Sequence, residues 1–216
     1  MSRPSRTRYA VITADVVGSR HIQSFRSKRD HLLAAVSRRH LRQKLILSPY
    51  TVTAWDEFQT ILSKPEYVPR VILDLRRLLL PLELWIAVGI GPVSNPHREP
   101  VNQYAGGEAF ERARCAADRL KVGSPKYRIL TGFDSGNDLF DSIANTIYRL
   151  QDALLEKITP RQWTTINTQM NTSRQETTAK KLSLNVSTVS RNLKRGYYWH
   201  LLDTARVMDT VIRAYF

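Results

Sequence analysis

The chain has 216 residues, of which 42% are hydrophobic and 24% charged, values typical of a folded soluble protein. Its single cysteine, Cys115, excludes an internal disulfide framework and a cysteine-rich zinc site. We predict that it is buried, since it lies in an alanine-rich stretch. The N-terminus has no apolar run of the secretory kind, and the run at 78–82 is too short to span a bilayer. We therefore expect a cytoplasmic protein that does not contact a membrane.

The net charge of +14 is concentrated at the two ends of the chain. Residues 1–44 hold eleven lysines and arginines against two acids, a net of +9, and residues 157–216 hold ten against three, a net of +7. The stretch between them has a net charge of −2. Phosphate backbones attract basic surfaces by counterion release. This distribution favours a nucleic-acid partner, with a generic basic surface, the ribosome or an anionic membrane as alternatives.

The first 157 residues alternate strand and helix patterns. The apolar, β-branched segment Tyr9–Val17 predicts a buried strand, and a helix is expected from Ser24 to Leu45. The order that follows, β-α-β-β-α-β-α-β-α, is typical of an α+β domain with one sheet, ferredoxin-like or palm-like. The remaining predicted elements are strands Leu45–Thr53 and Phe58–Leu62 joined by a turn at Ala54–Glu57, helix Tyr67–Leu80, strand Leu84–Ile90, a polar loop at 94–103, helix Gly106–Lys121, strand Tyr127–Thr131 and helix Asp138–Lys157.

The pattern changes near residues 157–160, after which the sequence is helical, threonine-rich and basic. Thr159 can cap a new helix that has Pro160 in its first turn. The chain is therefore predicted to form an α+β domain at 1–156 and an all-α domain at 157–216.

The segment 175–195, QETTAKKLSLNVSTVSRNLKR, has the pattern of a helix-turn-helix. Ala179 is a small residue where two helices would cross closely, and apolar side chains at 182, 184, 189 and 193 would hold their angle. Asn185 or Ser187 can cap the second helix. Ser183 stands where a glycine usually makes the turn, a position that serine adopts at some cost. Residues 160–170 would form the supporting first helix.

The exposed side of the second helix would carry hydrogen-bond donors and cations suited to phosphates and base edges in the major groove. The segment is similar to tri-helical or winged regulators that end in TVSRxLKR. We expect DNA as the partner, with RNA or a protein contact as alternatives. An apolar stripe from Leu201 to Tyr215 would pack on its own domain or on a second copy, which would make a homodimer. The predicted nucleic-acid contacts are Arg174, Ser187, Thr188, Ser190, Arg191, Lys194 and Arg195.

Acidic residues recur at one predicted edge of the sheet. Asp15 ends the first strand, and Asp56 and Glu57 lie at the hairpin tip, so neighbouring strands would bring the three together. Clustered carboxylates repel unless a cation neutralises them, which predicts Mg²⁺ bound with a nucleoside triphosphate. The turn at Gly18 and Ser19 offers backbone amides for a phosphate. The alternatives are a turn-capping carboxylate and an ordinary polar hairpin tip.

These segments resemble known nucleotide cyclases. TADVVGSR at 13–20 is similar to the first metal motif of class III nucleotide cyclases, and WDEF at 55–58 to the G-D-E-F hairpin of the diguanylate-cyclase branch. IAVGIG at 86–91 and GGEAFERARCAADRLK at 106–121 resemble the strand and helix that follow there. Together with the C-terminal helix-turn-helix, the combination resembles the SatD family of bacterial proteins along about the whole chain.

The resemblance implies roles for individual residues. Asp15 and Asp56 would bind the metal with Glu57 beside them, and Arg112 or Arg114 would face the phosphates. Two further positions depart from an active cyclase: Trp55 replaces the hairpin glycine, and Phe110 replaces a polar residue, and both changes argue against efficient cyclisation.

The expected function is that of a DNA-binding regulatory protein of SatD type. Its cyclase-like domain, retaining or having lost activity, would sense a nucleotide or mediate dimerisation. The alternatives are an enzyme, namely a metal-dependent nucleotidyl cyclase triggered by nucleic acid, and a protein-interaction module.

Overall fold

The computed structural model describes residues 7–22, 25–96, 105–124 and 126–216. The fold is α+β, with a mixed five-stranded sheet and eight α-helices in the described residues. The strands are β1 (Arg8–Val16), β2 (Thr51–Val52), β3 (Glu57–Leu62), β4 (Leu84–Pro92) and β5 (Thr131–Asp134). The helices are α1 (Phe25–Arg42), α2 (Val68–Leu78), α3 (Glu108–Val122), α4 (Asp138–Leu155), α5 (Pro160–Thr172), α6 (Gln175–Leu182), α7 (Val186–Arg195) and α8 (Tyr198–Tyr215).

The strand order is β2-β3-β1-β4-β5. β1 lies in the centre and pairs antiparallel with β3 and β4, whereas β4 and β5 are parallel. Asp15, near the end of β1, pairs with Glu57 on one side and with Trp85 on the other. Residues opposite each other in an antiparallel pair project to the same face of the sheet, so Asp15 and Glu57 share a face.

The two faces of the sheet are covered differently. Alternate β1 residues Ala10, Ile12 and Ala14 are fully buried and face a core built with α1, α2, α4 and α8. The opposite face packs on α3. A Cβ added at Gly89 of β4 would lie 2.0 Å from the Ala109 carbonyl oxygen, so glycine is required for the α3 backbone to lie directly on this face.

The predicted elements occur in the predicted order, with marked shifts at β2 and β5. β2 has two residues instead of the predicted nine. The segment before it pairs with β3 irregularly, with an isolated bridge between Ile46 and Leu62 and single hydrogen bonds such as that from the Leu47 amide to the Ile61 carbonyl. β5 begins at Thr131, where the predicted strand ends. Ser24, where the first helix was predicted to begin, and most of the predicted loop at 94–103 lie outside the described residues.

The prediction of a buried Cys115 is wrong, since the side chain is exposed. The buried side of α3 is formed by four alanines and Leu120, and Cys115 falls on the other side. Among the helices that the structure describes, none is both long and apolar enough to cross a membrane.

The helices after residue 159 form a second hydrophobic cluster. The predicted start of α5 is confirmed: Thr159 is its N-cap, Pro160 lies in the first turn, and Gln162 completes a capping box. Leu73 of α2 belongs to this cluster, which joins it to the rest of the chain. α8 contributes to both cores, because Leu201 lies in the second cluster while Met208 and Ile212 lie in the first.

Candidate functional site

The acidic residues of β1 and the hairpin meet as an acid cluster, defined by Asp15, Asp56 and Glu57. Glu57 is 8% exposed and accepts a hydrogen bond from Thr53 Oγ1 at 2.7 Å. Asp56 accepts one from Ser19 Oγ at 2.5 Å. Asp15 Oδ1 is buried and has no hydrogen-bond partner among the described residues. Three carboxylates in this space need a neutralising charge.

Lys121, at the end of α3, supplies a positive charge to the acid cluster. Its Nζ lies 3.1 Å from Asp15 Oδ2 and 3.9 Å from Glu57 Oε2. Burial raises the pKa of Asp15 above its ordinary value of 3.8, and the nearby Asp56 carboxylate raises it too, while Lys121 opposes both effects. Sequence reasoning placed Lys121 only at the end of a helix and gave no indication of this role.

The present arrangement does not fit a Mg²⁺ site. The Lys121 ammonium lies within 3.9 Å of both the Asp15 and the Glu57 carboxylates, and the Asp56 carboxylate accepts a hydrogen bond from Ser19. In the described part of the chain, no three His, Cys, Asp or Glu side chains are grouped so that they could hold a metal ion. A protonated amine and a metal both neutralise carboxylates, and here the chain provides the amine.

The residues predicted to contact a nucleotide are spread over two regions. Gly18 adopts a left-handed conformation (φ 65°), and Ser19 follows it directly beside the acid cluster. Arg114 lines a cleft of about 570 Å³ together with Glu57 and Lys121. Arg112 Nη1 instead donates to the Ile90 carbonyl at 2.5 Å, and Nη2 pairs with a glutamate.

Arg112 therefore lies toward the other end of the sheet. Ile90 pairs with Ala10 of β1, five residues from Asp15, or about 17 Å at about 3.4 Å per residue. Of these two arginines, Arg114 is on the side of the acid cluster.

Trp55, at the hairpin tip, contacts the start of α1. Its ring stacks on Phe25 with 6.5 Å between centroids, and the Arg26 guanidinium lies 3.8 Å from the ring centre. Its carbonyl oxygen accepts a hydrogen bond from Arg29. The indole thus fixes the hairpin tip on α1.

Helices α5, α6 and α7 form a tri-helical unit. Ala179 of α6 is 4% exposed, and Val189 and Leu193 of α7 are fully buried with it. The turn after α6 passes through Ser183 in the left-handed region (φ 52°, ψ 45°), and the Leu184 amide donates to the Ala179 carbonyl at 2.9 Å. Serine thus adopts the backbone geometry for which glycine is the usual residue.

The other side of α7 is a polar, basic face. Its exposed members recur at helical spacing, namely Ser187, Ser190, Arg191, Lys194 and Arg195. Thr188 is half-buried, and Arg174 is exposed at the N-cap of α6. Neither Arg174 nor the three cations of α7 form an ion pair with any residue in the described ranges. Asn185 is the N-cap of α7 but its side chain makes no capping hydrogen bond.

Two exposed lysines of α6, Lys180 and Lys181, add to this charge. They were not among the predicted contacts, although their position within the basic 175–195 segment could have indicated them.

Comparison with known proteins identifies the family. The model of the SatD family matches residues 9–204, which include the five described strands apart from Arg8, the acid cluster and the tri-helical unit. The chain belongs to the SatD family. The match ends within α8, before Met208 and Ile212 of the first hydrophobic cluster. The tri-helical unit and nearly the whole sheet lie within the matched region.

No curated protein matches this SatD-family chain. Among solved structures, it is similar to a regulator of polyketide synthase expression from Bifidobacterium adolescentis, at 16% identity, with 95% of this chain and 82% of that chain covered and a TM-score of 0.28. A TM-score this low does not establish a shared fold.

Proposed function

We propose that this SatD-family chain is a regulatory protein that binds DNA through its tri-helical unit. In this proposal α6 and α7 are a helix-turn-helix, and α7 is the recognition helix that enters the major groove. The residues that contact DNA are Arg174, Ser187, Thr188, Ser190, Arg191, Lys194 and Arg195.

The basic face of α7 is the observation that carries the proposal. The hydrogen-bond donors lie on one side of α7, and the opposite side is buried through Val189 and Leu193. The donors are therefore exposed while the helix remains packed on its domain. Arg191, Lys194 and Arg195 have no acidic partner among the described residues, so their charge is not neutralised by the protein there. A face of this kind suits phosphate oxygens and the acceptor-rich edges of guanine.

We further propose that β1 to β4 form a ferredoxin-like palm. Their order, β2-β3-β1-β4, with antiparallel neighbours and with α1 and α2 as the intervening helices, supports this assignment. The proposed role of this domain is to support and position the tri-helical unit, which contacts it through Leu73 and through a hydrogen bond of 3.0 Å from Asn167 Nδ2 to the Arg77 carbonyl.

The acid cluster enters the proposal as a lysine-neutralised remnant of a cyclase-like site. The ion pairs of Lys121 with Asp15 and Glu57, and the hydrogen bond from Ser19 to Asp56, support this interpretation over an active metal-dependent cyclase. A nucleotide, if one binds, would occupy the cleft beside Arg114 without a metal between the acids.

The first test is a titration of the full chain with fluorescent mixed-sequence duplex DNA, monitored by anisotropy. Wild type should bind, and Arg191→Ala should weaken binding roughly tenfold, since a good side-chain contact to a base or phosphate contributes about 1–3 kcal/mol. Arg206→Ala removes an equally charged exposed residue of α8 and should leave the affinity unchanged. Absence of binding at low salt would refute the proposed function, and equal affinity of all three proteins would refute the assignment of α7.

A duplex of RNA provides the second arm of the test. The major groove of A-form RNA is too deep and narrow for a helix, so we expect RNA to compete weakly. Stronger binding to RNA than to DNA would contradict the proposed docking of α7.

A further inference from the structure

The first helix of the chain carries a basic surface that the proposed function does not use. α1 contains six lysines and arginines and a single acid, Asp30. Asp30 Oδ1 is paired with Arg29 Nη2 at 2.7 Å, so this acid is already occupied by a neighbour whose own side chain is buried. The other cations of α1 are not compensated by Asp30.

Three unpaired cations of α1 lie on one exposed stripe. Lys28, His31, Ala35, Arg38 and Arg42 follow spacings of three and four residues, and all five are exposed. Lys28, Arg38 and Arg42 have no ion pair with any residue in the described part of the chain. We call these five residues the α1 stripe. From its first to its last member it extends about 21 Å at about 1.5 Å per residue, comparable to the rise of about six phosphates of one strand along the DNA axis.

Helix stability does not account for the whole stripe. Cations near the C-terminus of a helix interact favourably with the helix dipole, which is a sufficient reason for Arg42. Lys28 lies in the N-terminal part of α1, where the dipole disfavours a cation, and the first turn contains no acid. Arg26 is held by the ring of Trp55, but Lys28 has no comparable contact.

The surroundings of the stripe favour a phosphate backbone over a lipid surface. The large apolar residues of α1 face the core: Phe25, Leu33 and Val36 are each at most 4% exposed. α1 itself carries none of the exposed large hydrophobic residues of the described chain, and the neighbouring Trp55, 52% exposed, has the Arg26 guanidinium over its ring. A helix that binds a bilayer interface needs an exposed apolar face to insert. The small residue Ala35 in the stripe permits close approach of a charged partner.

We propose that the α1 stripe is a second, sequence-independent contact to the phosphate backbone of double-stranded nucleic acid. The inference rests on the proposed partner, nucleic acid, but not on the assignment of α7 as recognition helix. The stripe would add affinity through charge, while α7 would read bases.

The test compares three forms of the full chain on duplex DNA across a salt series. The stripe variant carries Lys28→Gln, Arg38→Gln and Arg42→Gln, exposed changes to a good helix former that should leave the melting temperature intact. A control with the same loss of charge carries Gln at three exposed positions away from α1, namely Lys126, Lys157 and Arg206. Each lost phosphate contact lowers the slope of log affinity against log salt by about 0.9.

We expect the stripe variant to lose affinity roughly tenfold to a hundredfold at moderate salt, with its slope reduced by about 2 to 3, and the control to change little. Equal affinity and slope in the stripe variant and the control would overturn the proposal. So would a stripe variant that binds DNA normally but no longer binds phosphatidylserine vesicles, because the surface would then serve a membrane.

Failure of this proposal is distinguishable from failure of the proposed function. If the stripe variant binds DNA more weakly while α7 variants bind normally, the assignment of the stripe is supported and the assignment of α7 as recognition helix is refuted. If only α7 variants bind DNA more weakly, the assignment of α7 is supported and the assignment of the stripe is refuted.

Discussion

Replacement of Lys121 by alanine tests the account of the acid cluster. The change removes the ammonium that lies 3.1 Å from Asp15 and 3.9 Å from Glu57. The side chain of Lys121 is 44% exposed, whereas its two partners are 13% and 11% exposed, so solvent screens the pairs in part. Partly screened ion pairs contribute up to about 1 kcal/mol each. We expect a loss of about 1–2 kcal/mol at pH 7, or roughly 2–8 °C in Tm for a chain of this size.

The loss should depend on pH in a defined direction. The pKa of folded Asp15 lies above its ordinary value of 3.8, so the folded state binds the proton more tightly than the unfolded state. Stability contributed by this group therefore falls as the pH rises from 3.8 through the folded pKa. Without Lys121 the pKa should rise further. The difference in stability between wild type and Lys121→Ala should thus shrink as the pH falls from 7 toward the pKa of Asp15.

Urea unfolding at pH 7 and pH 5, followed by circular dichroism, measures this difference. Lys126→Ala, which removes an exposed lysine without an ion pair in the described residues, is the matched control and should change stability by less than about 0.5 kcal/mol. Mg²⁺ at millimolar concentration should stabilise Lys121→Ala more than wild type, since it can replace the missing charge. Equal stability of wild type and Lys121→Ala at both pH values would refute this account.

Two other substitutions test the packing. Asp152→Ala removes a fully buried carboxylate that accepts three hydrogen bonds and lies 3.7 Å from buried Arg76. We expect the free energy of unfolding in urea to fall by about 3–5 kcal/mol, because the buried charge of Arg76 loses its partner. The control Asp203→Ala, in an exposed ion pair, should lower it by less than about 0.5 kcal/mol. Ser183→Gly should raise the free energy of unfolding by about 0.5–1 kcal/mol, since it relieves the strain of a serine in the left-handed backbone conformation. The control Ser190→Gly, within α7, should lower the free energy of unfolding by a similar amount. A destabilised Ser183→Gly would contradict the assigned turn.

The parts of the fold that could be predicted are those with strong local patterns. β1 follows from an apolar β-branched run, and α5 from a threonine cap followed by proline, because these features act through the adjacent backbone. β5 was misplaced, since its position depends on a distant residue: the Asp152 carboxylate accepts hydrogen bonds from the Leu130 and Thr131 amides, and the strand begins only there.

The candidate site was predictable to a similar degree. Pairing of Asp15 with Glu57 follows from neighbouring strands, and the exposed side of α7 follows from helical spacing. The Lys121 contact was not predictable, because it depends on how α3 crosses the sheet, which is set by the close approach of Ala109 to Gly89. Arg112 looked equivalent to Arg114 in sequence, but the two project to different sides of α3.

The most direct test of the central claim is the salt dependence of DNA binding by Arg191→Gln, Lys194→Gln and Arg195→Gln combined in the full chain. The account predicts that this variant loses affinity for duplex DNA at moderate salt and that its log–log slope falls by about 2 to 3 relative to wild type, with an unchanged melting temperature. A variant that binds with wild-type affinity and slope would contradict the claim that this protein reads DNA through α7.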